Sequence, residues 1–342
     1  MTNLNKAFSR WKEVLFITAL IKIILFILSP TLSSWIRWDA PHYIDIAKNG
    51  YQLNGEAGLW IVFYPLYPLL IKLINLIFNN FNFSAIFISN FFAFIASIAL
   101  YELTLLDFQK RVALLAVWFM NIFPTAYFLQ SGYTESLFLA TSIGSIYFYR
   151  KSSYFLSGLF GLLASATRIN GLLLLPLMLF ERKINRKNFL TFLITPIGFL
   201  IYLLINYKVF GDFFYFIKPL YSNWFKKLDW PWVGLATLLQ NISPLTNYIY
   251  FSELIAILFI SLTGFLILLK VRKSYGIYIF LNLILILSTS FILSTPRYIL
   301  SLFPIYILMG KIENKVIIIL LSFFSFIPLI LFSLLFTKGK WA

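Results

Sequence analysis

Four charged side chains, far apart in the chain, stand where charge is expensive. Asp39 opens "DAPHYIDIAKNGY" (39–51), and Glu135 lies in "QSGYTESLF" (130–138). Arg168 sits in "SATRING" (165–171), and Arg297 in "STPRY" (294–298). Each borders a long apolar run, where an ionised group pays a desolvation cost of several kcal/mol. A carboxylate in such a place can accept a proton from a hydroxyl. A guanidinium can hold a phosphate through two parallel N–H···O bonds. Two of each, arriving at one membrane face, suggest chemistry on a phosphate-bearing lipid.

Plainer readings exist for every one of them. Asp39, followed by Ala40 and Pro41 and ended by Gly50, reads as the start of a short helix with an acidic N-cap. "YTES" is a helix start in which Thr134 and Glu135 meet free backbone N–H groups. Arg168 and Arg297 could snorkel to lipid headgroups. His42, the one histidine in the chain, lies three residues after Asp39; it could shuttle a proton or simply pack. Aromatic residues around it, Trp35, Trp38, Tyr43 and Trp60 among them, suit an interfacial belt and also suit stacking on sugar rings. Asp45 falls six residues along the same helix from Asp39, about 240° around, and so faces elsewhere.

The elements that carry these residues are membrane helices. The 342 residues are 61% hydrophobic and 12% charged, against about 25% charged in a typical soluble domain. The mean hydropathy is +0.86. With no cysteine and one histidine, disulfides, thiolate chemistry and Cys- or His-rich metal sites are excluded. The net charge of +16 is read as helix-end lysine and arginine rather than as a nucleic-acid surface. Apolar runs predict about eleven transmembrane helices in one domain, residues 1–342: 13–30, 84–106, 112–129, 135–149, 154–166, 169–181, 189–207, 248–269, 275–293, 298–310 and 316–336.

Basic residues then orient the chain. With the N-terminus in the cytoplasm, the clusters at 109–111, 150–151, 181–187 and 270–273, with Lys311 and Lys315, all fall on the cytoplasmic side. This holds only if "FYPLYPLLIKLINLIF" (63–78) lies along the interface rather than across the membrane. Residues 31–83 and 208–247 become two larger extracytoplasmic segments, and all four charged side chains reach that face. A transporter or flippase for a lipid-linked or small polar substrate would use the same residue types. It would place them near the midplane on broken helices, whereas the main charges within these spans are Lys22, Glu102 and Glu253.

Read in order, the motifs resemble a known family. "RWDAPHYIDIAKNGY" with "FYPLYPLLIKL" looks like the start of the PIG-V-like, GPI mannosyltransferase 2-like group of GT-C glycosyltransferases. "FPTAYFLQSGYTESLFL", "GLLASATRINGLLLLP", "VFGDFFYFIKPLYSNW" and "STPRYILSLFPIY" continue the pattern between residues 36 and 308. The short loops are closer to prokaryotic members, which implies a multi-pass protein of a prokaryotic plasma membrane. The resemblance implies a GT-C-type fold with an acidic catalytic residue in the first outer loop, which falls on Asp39. It further implies a polyprenyl-phosphate sugar donor, usually mannose, a glycan or glycolipid acceptor in the lipid bilayer, inverting transfer, and neither metal nor other cofactor.

On that basis Asp39 is expected to be the base that takes the acceptor proton. Arg168 and Arg297 are expected to hold the donor phosphate. Arg37, Trp38, His42, Tyr43, Asp45, Tyr133 and Glu135 are expected to contact substrate or steady the first loop.

Overall fold

The computed structural model describes residues 3–241 and 248–340. Residues 242–247, the end of the second expected loop, lie outside the described residues, as do both chain ends. Among the described residues there is no strand, only one antiparallel bridge between Leu228 and Thr289.

Helix α1 (Asn3–Leu28) leads through a 3-10 turn at Leu32–Trp35 into α2 (Ala40–Asn49). A second 3-10 segment, Glu56–Val62, meets α3 (Leu66–Phe78) at a bend of 111°. Then come α4 (Phe81–Thr104), α5 (Lys110–Asn121), α6 (Glu135–Arg150), α7 (Tyr154–Ser165) and α8 (Leu174–Glu181). Helices α9 (Phe189–Ile194) and α10 (Ile197–Phe210) precede α11 (Ile217–Trp224) and α12 (Pro231–Gln240) in the second loop segment. The chain closes with α13 (Tyr248–Lys270), α14 (Lys273–Leu287), α15 (Thr295–Leu300), α16 (Pro304–Gly310) and α17 (Lys315–Thr337).

Only four described stretches are long and apolar enough to cross a membrane: Phe81–Thr104, Phe189–Phe210, Tyr248–Lys270 and Lys315–Thr337. The bent pair around residue 64 makes a fifth only if counted as one span. The helices therefore do not give the eleven full spans expected from apolar runs. Several of those runs are interrupted. The 112–129 run leaves helix after Asn121 and finishes as a 3-10 turn at Ala126–Leu129. The 298–310 run is divided between α15 and α16, each with proline in its first turn, where the missing N–H is tolerated. In α1, Lys12, Glu13 and Lys22 dilute the apolar stretch. Helices too short to face lipid alone are viable when protein surrounds them.

Helix α6 is such a helix. Every residue from Glu135 to Ile146 is buried, with α4 and α7 packed against it. Small residues let the neighbours approach closely. A Cβ on Gly144 would lie 2.6 Å from a ring carbon of Phe160. Ser145 and Ser157 each donate to the other's carbonyl at 2.8 Å, locking α6 to α7. In α10, a Cβ on Gly198 would lie 2.1 Å from the carbonyl oxygen of Leu162.

The two ends of α6 hold different charge clusters. At Arg150, the guanidinium donates to Asp107 at 2.6 Å. Arg272 joins Asp107 at 2.8 Å and Glu181 at 3.1 Å, and Ser274 also donates to Glu181. Burial pushes the Asp107 carboxyl up, but hydrogen bonds from Arg150 and Arg272 outweigh it and hold it below the usual carboxylate range. Residues read from the sequence as loop charges thus clamp four helix ends together. The other cluster begins at Glu135, about 22 Å away along the helix.

Candidate functional site

The first loop is set at Trp38, whose φ of 53° is a left-handed conformation unusual for a large side chain. Asp39 follows at the N-cap of α2, and its carbonyl accepts from the backbone N–H groups of His42 and Tyr43. The expected side-chain cap is not made. Instead, the Asp39 carboxylate accepts from Arg297 Nη1 at 2.7 Å. The hydroxyl of Tyr133 accepts from the Asp39 backbone N–H at 3.2 Å and donates to the Arg37 carbonyl at 3.0 Å. Arg37 itself donates to the carbonyl of Thr337 at 3.0 Å. Rigid partners thus hold the loop on both sides of Asp39.

Glu135 lies at the centre of the cluster. Its side chain is 0% exposed, and one oxygen, Oε1, meets both Arg297 Nε and Arg168 Nη2. Its other oxygen is buried with no hydrogen-bond partner among the described residues. Arg168 also donates twice to Thr134 Oγ1, at 2.9 and 2.7 Å, and once to Ser301 Oγ at 3.3 Å. Arg297 lies over the ring of Tyr133 at 4.4 Å and that of Phe128 at 5.0 Å, positions where the ring face attracts a cation. Four chain regions therefore converge on one site, with two carboxylates balanced by two guanidiniums.

The balance changes what the arginines can do. They are not open phosphate clamps: Glu135 engages both, and Asp39 holds the free edge of Arg297. Asp39 is the most open member, with 27% of its side chain exposed against 15% for Arg297 and 14% for Arg168. A cavity of about 200 Å³ adjoins Arg297 rather than Asp39 itself, lined by Trp38, Phe128, Glu253, Pro296 and Arg297. The site therefore pairs one accessible carboxylate with a guanidinium facing an open cavity. Among the described residues, no group of His, Cys, Asp and Glu side chains could hold a metal ion.

The other expected residues divide. Asp45 is outside the cluster and accepts from Asn49 at 2.7 Å. Tyr43 packs edge-on against Phe63 and Tyr67. Burial and then Asp39 raise its phenol, against the opposing pull of Arg297 and Arg168, to about 12, so it stays protonated. His42 stacks on Trp60 with ring centres 3.7 Å apart. Burial lowers its imidazole below the usual value, against the upward pull of Asp39, Asp45 and Glu56. A histidine whose folded value is lowered binds fewer protons folded than unfolded, so stability falls as pH drops below about 6.5. The thermal midpoint of the wild type is expected to show this acid-side fall, and His42→Phe to flatten it while keeping the Trp60 stack. Equal pH profiles in the two proteins would contradict it.

Two supports are not expected at the site from sequence. The Glu253 carboxylate accepts from the backbone N–H groups of Ser294 at 2.7 Å and Thr295 at 2.9 Å. It thereby fixes the start of α15, which carries Arg297; an acid near the end of an apolar run was its only signal. Tyr67 donates to the carbonyl of Ala85 at 2.9 Å and hydrogen-bonds Ser89, which donates to the Tyr133 carbonyl at 3.0 Å. The "FYPLYPLL" motif therefore reaches the site through Tyr67.

The described residues define a class: an all-helical fold with several helices apolar and long enough to cross a membrane. The chain aligns with the crystal structure of the Archaeoglobus fulgidus oligosaccharyltransferase in its apo form, with a TM-score of 0.54 at 16% identity. The alignment covers 98% of this chain and 57% of that one. The complex of the archaeal enzyme with an inhibitory peptide and a dolichol-phosphate aligns with a TM-score of 0.51 at 13% identity, covering 98% of this chain and 56% of that one. Residues 19–194, half of the chain, match the mannosyltransferase (PIG-V) family, and the chain belongs to that family. GPI mannosyltransferase 2 of Schizosaccharomyces pombe is 36% identical over 144 residues, 41% of this chain. GPI alpha-1,6-mannosyltransferase 2 of mouse is 29% identical over 154 residues, 42% of this chain. Either match spans 30% of the relative's own length.

Proposed function

We propose that the protein is a membrane mannosyltransferase that moves mannose, with inversion, from a polyprenyl-phosphate donor to a hydroxyl of a lipid or glycan acceptor. The observation that carries this reading is the Asp39–Arg297 pair, an accessible carboxylate beside a guanidinium at an open cavity in a member of a mannosyltransferase family. In the reaction the acceptor oxygen attacks the anomeric carbon and its proton passes to Asp39. The bond from that carbon to the phosphate oxygen breaks, and polyprenyl phosphate leaves with the electron pair.

The pairing suggests how the two charges are coupled. Protonation of Asp39 removes its hold on Arg297 Nη1 while negative charge grows on the departing phosphate. The guanidinium is then freed at the moment it is needed, and stabilisation confined to the transition state accelerates the reaction. Arg168 stays with Glu135, Thr134 and Ser301 and lends the site positive charge. The leaving phosphate needs little protonation, so one base suffices.

We further propose that the site faces the extracytoplasmic side of a prokaryotic plasma membrane. The basic clusters around Arg150, Arg182 and Arg272 gather at the other end of α6 from Glu135, which supports that orientation under the positive-inside rule. Membranes containing the protein are expected to transfer labelled mannose from polyprenyl-phosphate mannose and not from a nucleotide-linked sugar. Transfer from the nucleotide sugar alone would overturn the donor assignment, and solute flux in proteoliposomes without glycosyl product would favour a transporter.

A further inference from the structure

On the other side of the first loop, α1 carries a cation with no partner. The Lys22 ammonium is buried and makes no hydrogen bond among the described residues. It lies six residues before the end of α1, about 9 Å along the axis. Helix side chains lean toward the N-terminus, away from that end, so the ammonium does not reach the nearby interface by snorkelling. The other two charges read within spans are answered: Glu102 by Arg10 and Trp11, and Glu253 by backbone N–H groups. An unpaired buried charge is strongly unfavourable, and Lys22 has no acid to offset it.

The surroundings describe what would. Lys22 faces a cavity of about 270 Å³ that Trp35, Asn90 and Gln130 also line. Gln130 Oε1 is buried without a hydrogen-bond partner. Asn90 donates to the carbonyls of Ile86 at 2.8 Å and Gln130 at 3.1 Å, fixing α4 to the 130 segment. The remaining wall includes Ile23 and Phe26, which are 56% and 45% exposed on the outside of the bundle. The cavity thus joins one cation and a carboxamide to an apolar flank open to the bilayer.

We propose that this cavity binds the phosphate group of a membrane lipid, with its chain along Ile23 and Phe26. The Lys22 ammonium donates to the phosphate oxygens, and the Gln130 carboxamide takes a neighbouring hydroxyl or, turned about, a phosphate oxygen. The phosphate comes either from a bulk anionic phospholipid or from a polyprenyl phosphate. The site is separate from the Asp39 cluster and does not depend on the proposed transfer reaction.

The test uses full-length protein stripped of lipid in detergent, offered phosphatidylglycerol, polyprenyl monophosphate or diacylglycerol. Native mass spectrometry counts bound equivalents, and the thermal midpoint reports stabilisation by ligand. The wild type is expected to hold one more phosphate lipid than Lys22→Met, whose affinity at this site falls at least tenfold. Lys22→Arg is expected to keep binding, and Gln130→Met to weaken it several-fold. Lys22→Met removes a buried unpaired amine, so it should fold at least as well as the wild type. Retention of phosphatidylglycerol identifies a bulk phospholipid, and retention of polyprenyl phosphate alone identifies the isoprenoid lipid. Asp39→Asn should leave this extra equivalent in place, which separates loss of this site from loss of the catalytic reading. Equal lipid binding by the wild type and Lys22→Met, or equal retention of diacylglycerol, would overturn the proposal.

Discussion

Asp39→Asn is expected to lower mannosyl transfer by about 100- to 10,000-fold, the usual contribution of a positioned general base. The substitution is nearly isosteric and keeps an oxygen that can accept from Arg297 Nη1, so the guanidinium stays near its place. Helix α2 should also survive. Its first turn uses the Asp39 carbonyl rather than the side chain, and asparagine is as good an N-cap residue as aspartate. The loop remains pinned by Tyr133 through backbone groups that the change does not touch. What is lost is the capacity to take a proton, and with it the release of Arg297 during phosphate departure. Rates measured in membranes supplied with polyprenyl-phosphate mannose, beside thermal midpoints, separate chemistry from folding. A midpoint close to the wild type with near-normal transfer would show that Asp39 is not the base.

The convergence of Asp39, Glu135, Arg168 and Arg297 was legible because charges beside apolar runs are rare and each must be answered by something. Their mutual geometry was not. Sequence spacing says which face of a membrane a residue reaches, not that both arginines turn to one oxygen of Glu135. The same limit explains the cap misread at Asp39: a local pattern predicts the commonest local partner, and here a guanidinium 258 residues away displaces it. The eleven expected spans are not matched by full-length helices among the described residues for a related reason. Apolarity marks burial, and burial in a crowded bundle is supplied by protein as readily as by lipid, as the enclosed α6 demonstrates. Arg150 and Arg272 were placed by sign alone, which gave a side of the membrane but not the Asp107 and Glu181 that hold them. Glu253 and Tyr67 act through another residue's position, and such a role leaves no pattern in its own neighbourhood.

Glu135→Gln is expected to cost about 3–5 kcal/mol of stability, the range for removing one partner of a buried ion pair. Glutamine keeps the volume and an acceptor oxygen, so the change is chiefly one of charge. The cluster goes from neutral to one net positive, with Arg168 left to the hydroxyls of Thr134 and Ser301. Neutral hydroxyls cannot offset a guanidinium that is only 14% exposed. The second change Arg168→Met restores neutrality by leaving Asp39 with Arg297, and the double variant should regain a large part of the lost stability. That recovery distinguishes charge balance from packing, because a packing defect at α6 would deepen rather than heal when a second contact is removed. Thermal midpoints of the two single variants and the double variant form the cycle. A double variant less stable than either single one would show that Glu135 is held for its shape. Recovery of stability without recovery of transfer would place Glu135 and Arg168 with the reaction as well as the fold. The Arg168 charge would then matter to the donor phosphate even though Glu135 already occupies it.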